Sequence, residues 1–250
     1  MLVFELPLQI CFLIPMPSEC VSEKIARLLD AVLQKEEFFP GVRGFLENAA
    51  AEAEDGDFAS KNEGRPSFRP YTFDQPYPLE AERVYCTGKV YTVRIRTISQ
   101  ELAEFFSRML PLCRSDCLQV LGGGLRLIPR GALERVHTLT PVVVKTGYGY
   151  WRNRMQVDEY EERLKTNLIR KYNFFCHTNL SGNFSLFKNI EFINRKPVRV
   201  SQSNVSLLGD KVSLTAACNS MAQELLYMAL GTGVGENNAR GCGFLGYRFR

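Results

Sequence analysis

One order of patterns occurs twice along this chain, and it restricts the fold more than any single motif does. Leu2 to Ile14 is a nearly continuous apolar run, as in a strand covered on both faces, and Pro15 and Pro17 end it. Ser18 then fits the N-cap of a helix with Val21, Ile25, Leu28, Leu29 and Val32 on one face. Arg69 to Phe73 and Val84 to Ile98 read as two strands. In the second, Tyr91, Val93 and Ile95 face one way and Thr92, Arg94 and Arg96 the other. Ser99 caps a helix bearing Leu102, Phe105, Phe106, Met109 and Leu110, and Leu118 to Ile128, bent at Gly122-Gly123-Gly124, closes the half. The order is β-α-β-β-α-β, a split βαβ unit of the ferredoxin-like kind.

The second half repeats it. Val136 to Lys145 is a strand that Pro141 places toward an edge or a bulge. Asp158-x-x-Glu161 resembles a capping box opening a helix with Leu164, Leu168, Ile169 and Tyr172. Ile190 to Val200 and Val205 to Ala216 form a hairpin, Asn219 caps a helix running to Leu230, and a last strand carries Phe244, Tyr247 and Phe249. The halves share this order without visible sequence identity. The expected architecture is α+β, two tandem ferredoxin-like domains spanning 1–130 and 131–250. Residues 47–67, polar and acidic, read as a mobile excursion.

A chain of 250 residues with 45% hydrophobic and 23% charged residues is an ordinary globular composition. Its formal charge of +4 is mild, so any nucleic-acid binding has to come from local clusters. No apolar run approaches the ~20 residues that span a bilayer, and Met1 to Ile14, lacking a basic leader, reads as a core strand rather than a signal peptide. The eight cysteines are scattered, Cys113 and Cys117 being the one close pair, and the two histidines stand far apart. No zinc spacing results, and free cysteines in a reducing cytoplasm are expected.

The densest motif is the C-terminal stretch Gly233-Val-Gly235-Glu-Asn-Asn-Ala-Arg240-Gly241-Cys-Gly243, followed by Arg248 and Arg250. It lies between an apolar helix and a strand, the reverse of the strand-loop-helix order of the common phosphate loops. Glycines this dense permit positive φ and let a ligand reach bare backbone N–H groups. The same residues also fit a β-turn that closes the last strand without a ligand. A second cluster, Lys145, Tyr148, Tyr150, Trp151, Arg152 and Arg154, interleaves cations with aromatics as single-stranded RNA recognition requires, or else packs its aromatics at a domain interface. Lys165, Arg170 and Lys171 fit a basic helix face.

The two Gly-x-Gly triplets separated by five residues resemble the C-terminal signature of the CRISPR-associated repeat-processing endoribonucleases (Cas six, of the RAMP superfamily). Arg69-Pro-Tyr-Thr-Phe-Asp74, Gly88-x-x-Tyr91-x-Val93-x-Ile95-Arg-Thr97 and Leu139-Thr-Pro141-Val-Val-Val144 are similar to further segments of that family. The resemblance implies two ferredoxin-like domains, CRISPR repeat RNA or its processed crRNA as partner, other CRISPR effector proteins as possible associates, no membrane, and no metal or cofactor. It also implies cleavage in which the 2′-hydroxyl attacks its own phosphate, leaving a 2′,3′-cyclic phosphate. Many members place a histidine after the first helix. Here Lys35 to Asn48 holds none, and Glu47 stands about where the imidazole would be. The catalytic candidates are therefore Lys35 and Arg43, cations able to stabilise the phosphorane, and a desolvated lysine can also transfer a proton. The RNA-binding candidates are Gly233, Gly235, Arg240, Gly241, Gly243, Arg248, Trp151, Arg152 and Arg154. His137 and His177 are read as structural. A catalytically silent repeat-binding protein and an effector-complex subunit remain alternatives.

Overall fold

The computed structural model describes residues 1–34, 69–147, 149–202 and 205–250. Lys35, Arg43, the excursion at 47–67 and Tyr148 lie outside the described residues. In the first unit, β1 (Phe4–Phe12), β2 (Met16–Pro17), α1 (Ser18–Leu33), β3 (Tyr71–Phe73), β4 (Val84–Tyr85), β5 (Val90–Thr97), α2 (Gln100–Met109), β6 (Leu118–Gly123) and β7 (Arg126–Leu127) follow in order. The second unit has β8 (Leu133–Thr138), α3 (Val157–Cys176), β9 (Phe187–Phe192), β10 (Val198–Gln202), β11 (Val205–Gly209), β12 (Val212–Ala216), α4 (Ser220–Thr232) and β13 (Leu245–Phe249).

Each unit forms an antiparallel sheet, ordered β3-β5-β1-β6 in the first and β13-β8-β12-β9 in the second. Both run fourth, first, third, second in the βαββαβ count, so the protein is α+β with two tandem ferredoxin-like units. The alternation read in β5 holds: Tyr91, Val93 and Ile95 enter the first core with Val21, Ile25, Leu29, Phe105 and Phe106. The opposite face is not all solvent, however. Arg96 is 2% exposed, bonded to Glu5 and to the Leu245 carbonyl, with the Phe244 ring 4.3 Å from its guanidinium carbon. Val3, Ile98 and Ile128 join the second core, so the two units share apolar surface.

Several boundaries differ from the sequence reading. The expected strand at 84–98 is two, because Val84–Tyr85 pairs with Met16–Pro17 instead of continuing into β5. The strand opening the second unit stops at Thr138; beyond Pro141, Val142 bridges Asp210 and Val143 bridges Glu236. That bridge also splits the expected hairpin in two. Asp210 and Val142 exchange both backbone bonds, 2.9 and 2.7 Å, so β9 pairs with β12 while β10 and β11 form a separate ribbon beyond. Ser99 and Asn219 cap as expected, accepting from the Leu102 and Ala222 amides. Ser18 and Asp158 do not, because each already lies inside its helix, where Asp158 favours the positive end of the dipole.

All eight cysteines are free thiols. Among the described residues no helix is long and apolar enough to cross a membrane. His177 ends α3 with φ of 53°, a left-handed conformation that costs a non-glycine residue roughly 1 kcal/mol. His177→Gly should therefore raise the melting temperature by about 2–4 °C. A scanning calorimetry trace with an unchanged or lower midpoint would count against strain at this cap.

Candidate nucleic-acid interface

The C-terminal loop leaves α4 at Gly233 and returns through β13 beside β8. Positive φ occurs at Gly233, Gly235, Asn237, Gly241 and Gly243. The chain needs it in order to fold tightly on itself. The Val234 amide donates to the Gly243 carbonyl at 3.0 Å, Gly243 to Pro141 at 2.9 Å, Glu236 to Val143 at 2.9 Å, and Phe244 to the Thr140 hydroxyl at 2.9 Å. These donors are spent inside the protein, which corrects the expectation of an N–H array open to an anion. A Cβ on Gly243 would sit 1.9 Å from the Val234 carbonyl oxygen, so the glycine serves close approach of backbone to backbone.

Two buried polar side chains fasten the loop. Asn238 donates to the Val234 and Cys242 carbonyls at 3.1 and 3.0 Å. Lys171, from α3, donates to the Gly233 and Gly235 carbonyls at 3.1 and 3.0 Å and to Asn238 Oδ1 at 2.6 Å. It is 6% exposed and so is no part of a solvated basic face. Nearby Glu236 accepts from the Lys145 amide, and burial raises its carboxyl above the ordinary range.

The outer side of the loop meets the first unit. Gly241 lies against Phe73 of β3 and Ser22 of α1; a Cβ there would come 2.8 Å from the Phe73 ring. Next to it Arg240 pairs with Asp30, in the last turn of α1, and Asp30 also holds Arg69. Arg69 donates in addition to the Tyr71 hydroxyl at 3.2 Å. Burial opposes the Arg69 charge, but Tyr71 and Asp30 together keep its pKa above the ordinary guanidinium value. Burial likewise raises Tyr71. The three charged side chains remain partly open, at 38% for Arg240, 16% for Arg69 and 23% for Asp30.

The aromatic-basic cluster is built around a residue that the sequence reading missed. Asp210, fully buried, accepts from the Tyr150 hydroxyl at 2.8 Å, Trp151 Nε1 at 2.6 Å, and Arg152 and Asn194 at 2.8 Å. Trp151 stacks on Phe192 at 5.2 Å and is 4% exposed, so it is not placed to stack on a base. Arg152 spends its guanidinium on Asp210 and the carbonyls of Asn194 and Arg195. Arg154 is exposed. Arg248, on β13 opposite Arg135 of β8, makes a two-point pair with Glu134 at 2.8 and 2.6 Å and stays largely in solvent. His137 is half-buried beneath Gly246, and burial, helped by Arg135, lowers its pKa. The structure thus joins the glycine loop and Arg240 to the first unit, and leaves the 151–154 segment and Arg248 on other parts of the second.

Residues 129–247 match the family model for the C-terminal region of CRISPR-associated protein Cas6. No curated protein matches the sequence. A solved CRISPR-associated Cas6 protein superposes with a TM-score of 0.68 at 17% identity, over 98% of this chain and 99% of that one. A RAMP protein binding different RNA substrates superposes at 0.67 with 16% identity, over 98% and 99%. A Cas6 product complex does so at 0.55 with 13% identity, over 99% and 100%. At such identities the superpositions establish the fold, while the family model covers the glycine loop and the strands that frame it. Residues 129–247 are thus similar to the Cas6 C-terminal region, on a fold that the whole chain shares with solved Cas6 proteins.

Proposed function

We propose that this protein binds CRISPR repeat RNA and cuts it to crRNA without a metal ion. The observation that carries the reading is the Cas6 C-terminal match over a glycine loop wedged against the first unit. The Cas6 product complex and the RNA-binding RAMP protein of the same fold support it. In this reading the RNA crosses the junction of units 1–130 and 131–250, with Arg240, Arg154 and Arg248 as backbone contacts. Gly233, Gly235, Gly241 and Gly243 shape the loop, and Trp151 and Arg152 hold its neighbouring segment. The protein acts in the cytoplasm, in antiviral defence, and passes its product to other CRISPR effector proteins.

The chemistry calls for a base at the 2′-oxygen, positive charge on the phosphorane and a proton for the leaving 5′-oxygen. Lys35 and Arg43 follow α1 in sequence and are the proposed stabilising cations. One observation favours the silent repeat-binding alternative: the two histidines of the chain belong to β8 and to the end of α3, and neither directly follows α1 in sequence. Incubation of labelled repeat RNA in EDTA separates the readings. One cut leaving a 2′,3′-cyclic phosphate is the expected result; a stable uncut complex would leave the binding and remove the nuclease.

A further inference from the structure

The charged cluster where the units meet has a composition that neither core requires. Asp30 comes from α1, Arg69 from the residues leading into β3, and Arg240 from the glycine loop, so neither unit alone assembles it. Two guanidiniums share one carboxylate, each taking a different oxygen of Asp30. The cluster therefore carries one net positive charge, the complement of a single phosphodiester. Each guanidinium has five N–H donors in a planar fork, and one carboxylate oxygen apiece leaves donors for a second anion. Gly241, pressed on Phe73, fixes the backbone from which Arg240 reaches out, and Tyr71 fixes Arg69 from beneath. Partial exposure of all three side chains gives a phosphate a way in.

We propose that Arg69 and Arg240 form a clamp for one RNA phosphodiester, with Asp30 as the positioning residue that presets the pair. The proposal rests on the RNA-binding reading above. An ion pair serving only to hold the units together would have another signature, since partly exposed pairs contribute little and the units already share apolar surface and the buried bond from Arg96 to the Leu245 carbonyl.

The test uses the full chain, with CRISPR repeat RNA and an oligouridylate of equal length as probes, titrated across a salt series. Arg69→Gln and Arg240→Gln should each weaken both probes about tenfold, the scale of one lost charge-assisted bond. Each should reduce the slope of log affinity against log salt by about 0.7, the value for one phosphate on a single strand. The double variant should lose little further slope, because both residues hold the same phosphate. Asp30→Asn discriminates by sign. It adds one unit of net positive charge, so simple attraction predicts tighter binding, whereas loss of positioning predicts weaker binding. Melting curves for each variant confirm that binding is measured on folded protein. Tighter binding by Asp30→Asn, or an unchanged salt slope in both arginine variants while the parent binds RNA, would overturn the clamp. Equal parent affinity for the two probes, with the variant effects intact, would support the clamp and remove repeat recognition. A parent that binds neither probe would overturn both.

Discussion

Gly243→Ala is expected to destabilise the protein by about 3 kcal/mol, lowering its melting temperature by about 6–12 °C. Two costs add. Residue 243 has φ of 66°, where a Cβ crowds its own backbone. The new methyl would also lie 1.9 Å from the Val234 carbonyl oxygen and 2.9 Å from Asn238 Nδ2. Backbone cannot swing aside as a surface side chain does, so relief requires opening the loop. The opening breaks the Val234–Gly243 and Gly243–Pro141 bonds and frees Asn238 from two carbonyls. Gly147→Ala is the control: φ there is not positive, and open space surrounds its Cβ position. Thermal denaturation followed by circular dichroism reads both. A Gly243→Ala protein melting within about 2 °C of the control would mean that the loop is not fastened in this way.

What the sequence made legible was periodicity. Alternation in β5 and the helical spacing of Leu102, Phe105 and Phe106 are local patterns, and they survive because each element buries the face its own residues define. Two such orders in succession were enough to specify the architecture. The loop shows the limit. Dense glycine signals that something approaches the backbone closely, but not whether it is a ligand or another part of the chain. Here it is the carbonyl of Val234, the side chains of Val142 and Asn238, and the ring of Phe73. Asp210 was invisible for a similar reason. It follows Gly209 in what reads as a hairpin and would ordinarily be a turn residue in solvent. Its four side-chain donors come from positions 16 to 60 residues earlier. Trp151 and Arg152 were legible as residue types suited to RNA, and only the fold shows that Asp210 has claimed them. The Asp30–Arg240 pair spans 210 residues, a separation over which no local pattern speaks.

Lys171→Met separates the loop's architecture from its charge. The side chains have similar length, but methionine supplies no donor. The carbonyls of Gly233 and Gly235 and the amide oxygen of Asn238 would lose a buried cationic partner. Leaving buried acceptors unpaired costs roughly 1–3 kcal/mol each, and relaxation of the loop toward water returns part of that. The expected net loss is about 3 kcal/mol, with a fall in melting temperature of about 6–12 °C. RNA affinity should fall as well, because a loosened loop no longer holds Arg240 and Gly241 against α1 and β3. The salt dependence should nevertheless stay as in the parent protein. Lys171 is 6% exposed and its ammonium faces three oxygens of its own chain, so it is not placed to neutralise a phosphate. Weaker binding at constant salt slope is thus the mark of a residue acting through the loop. A slope reduced by about 0.7 would mean instead that this lysine reaches the RNA backbone, and that the loop opens when RNA binds.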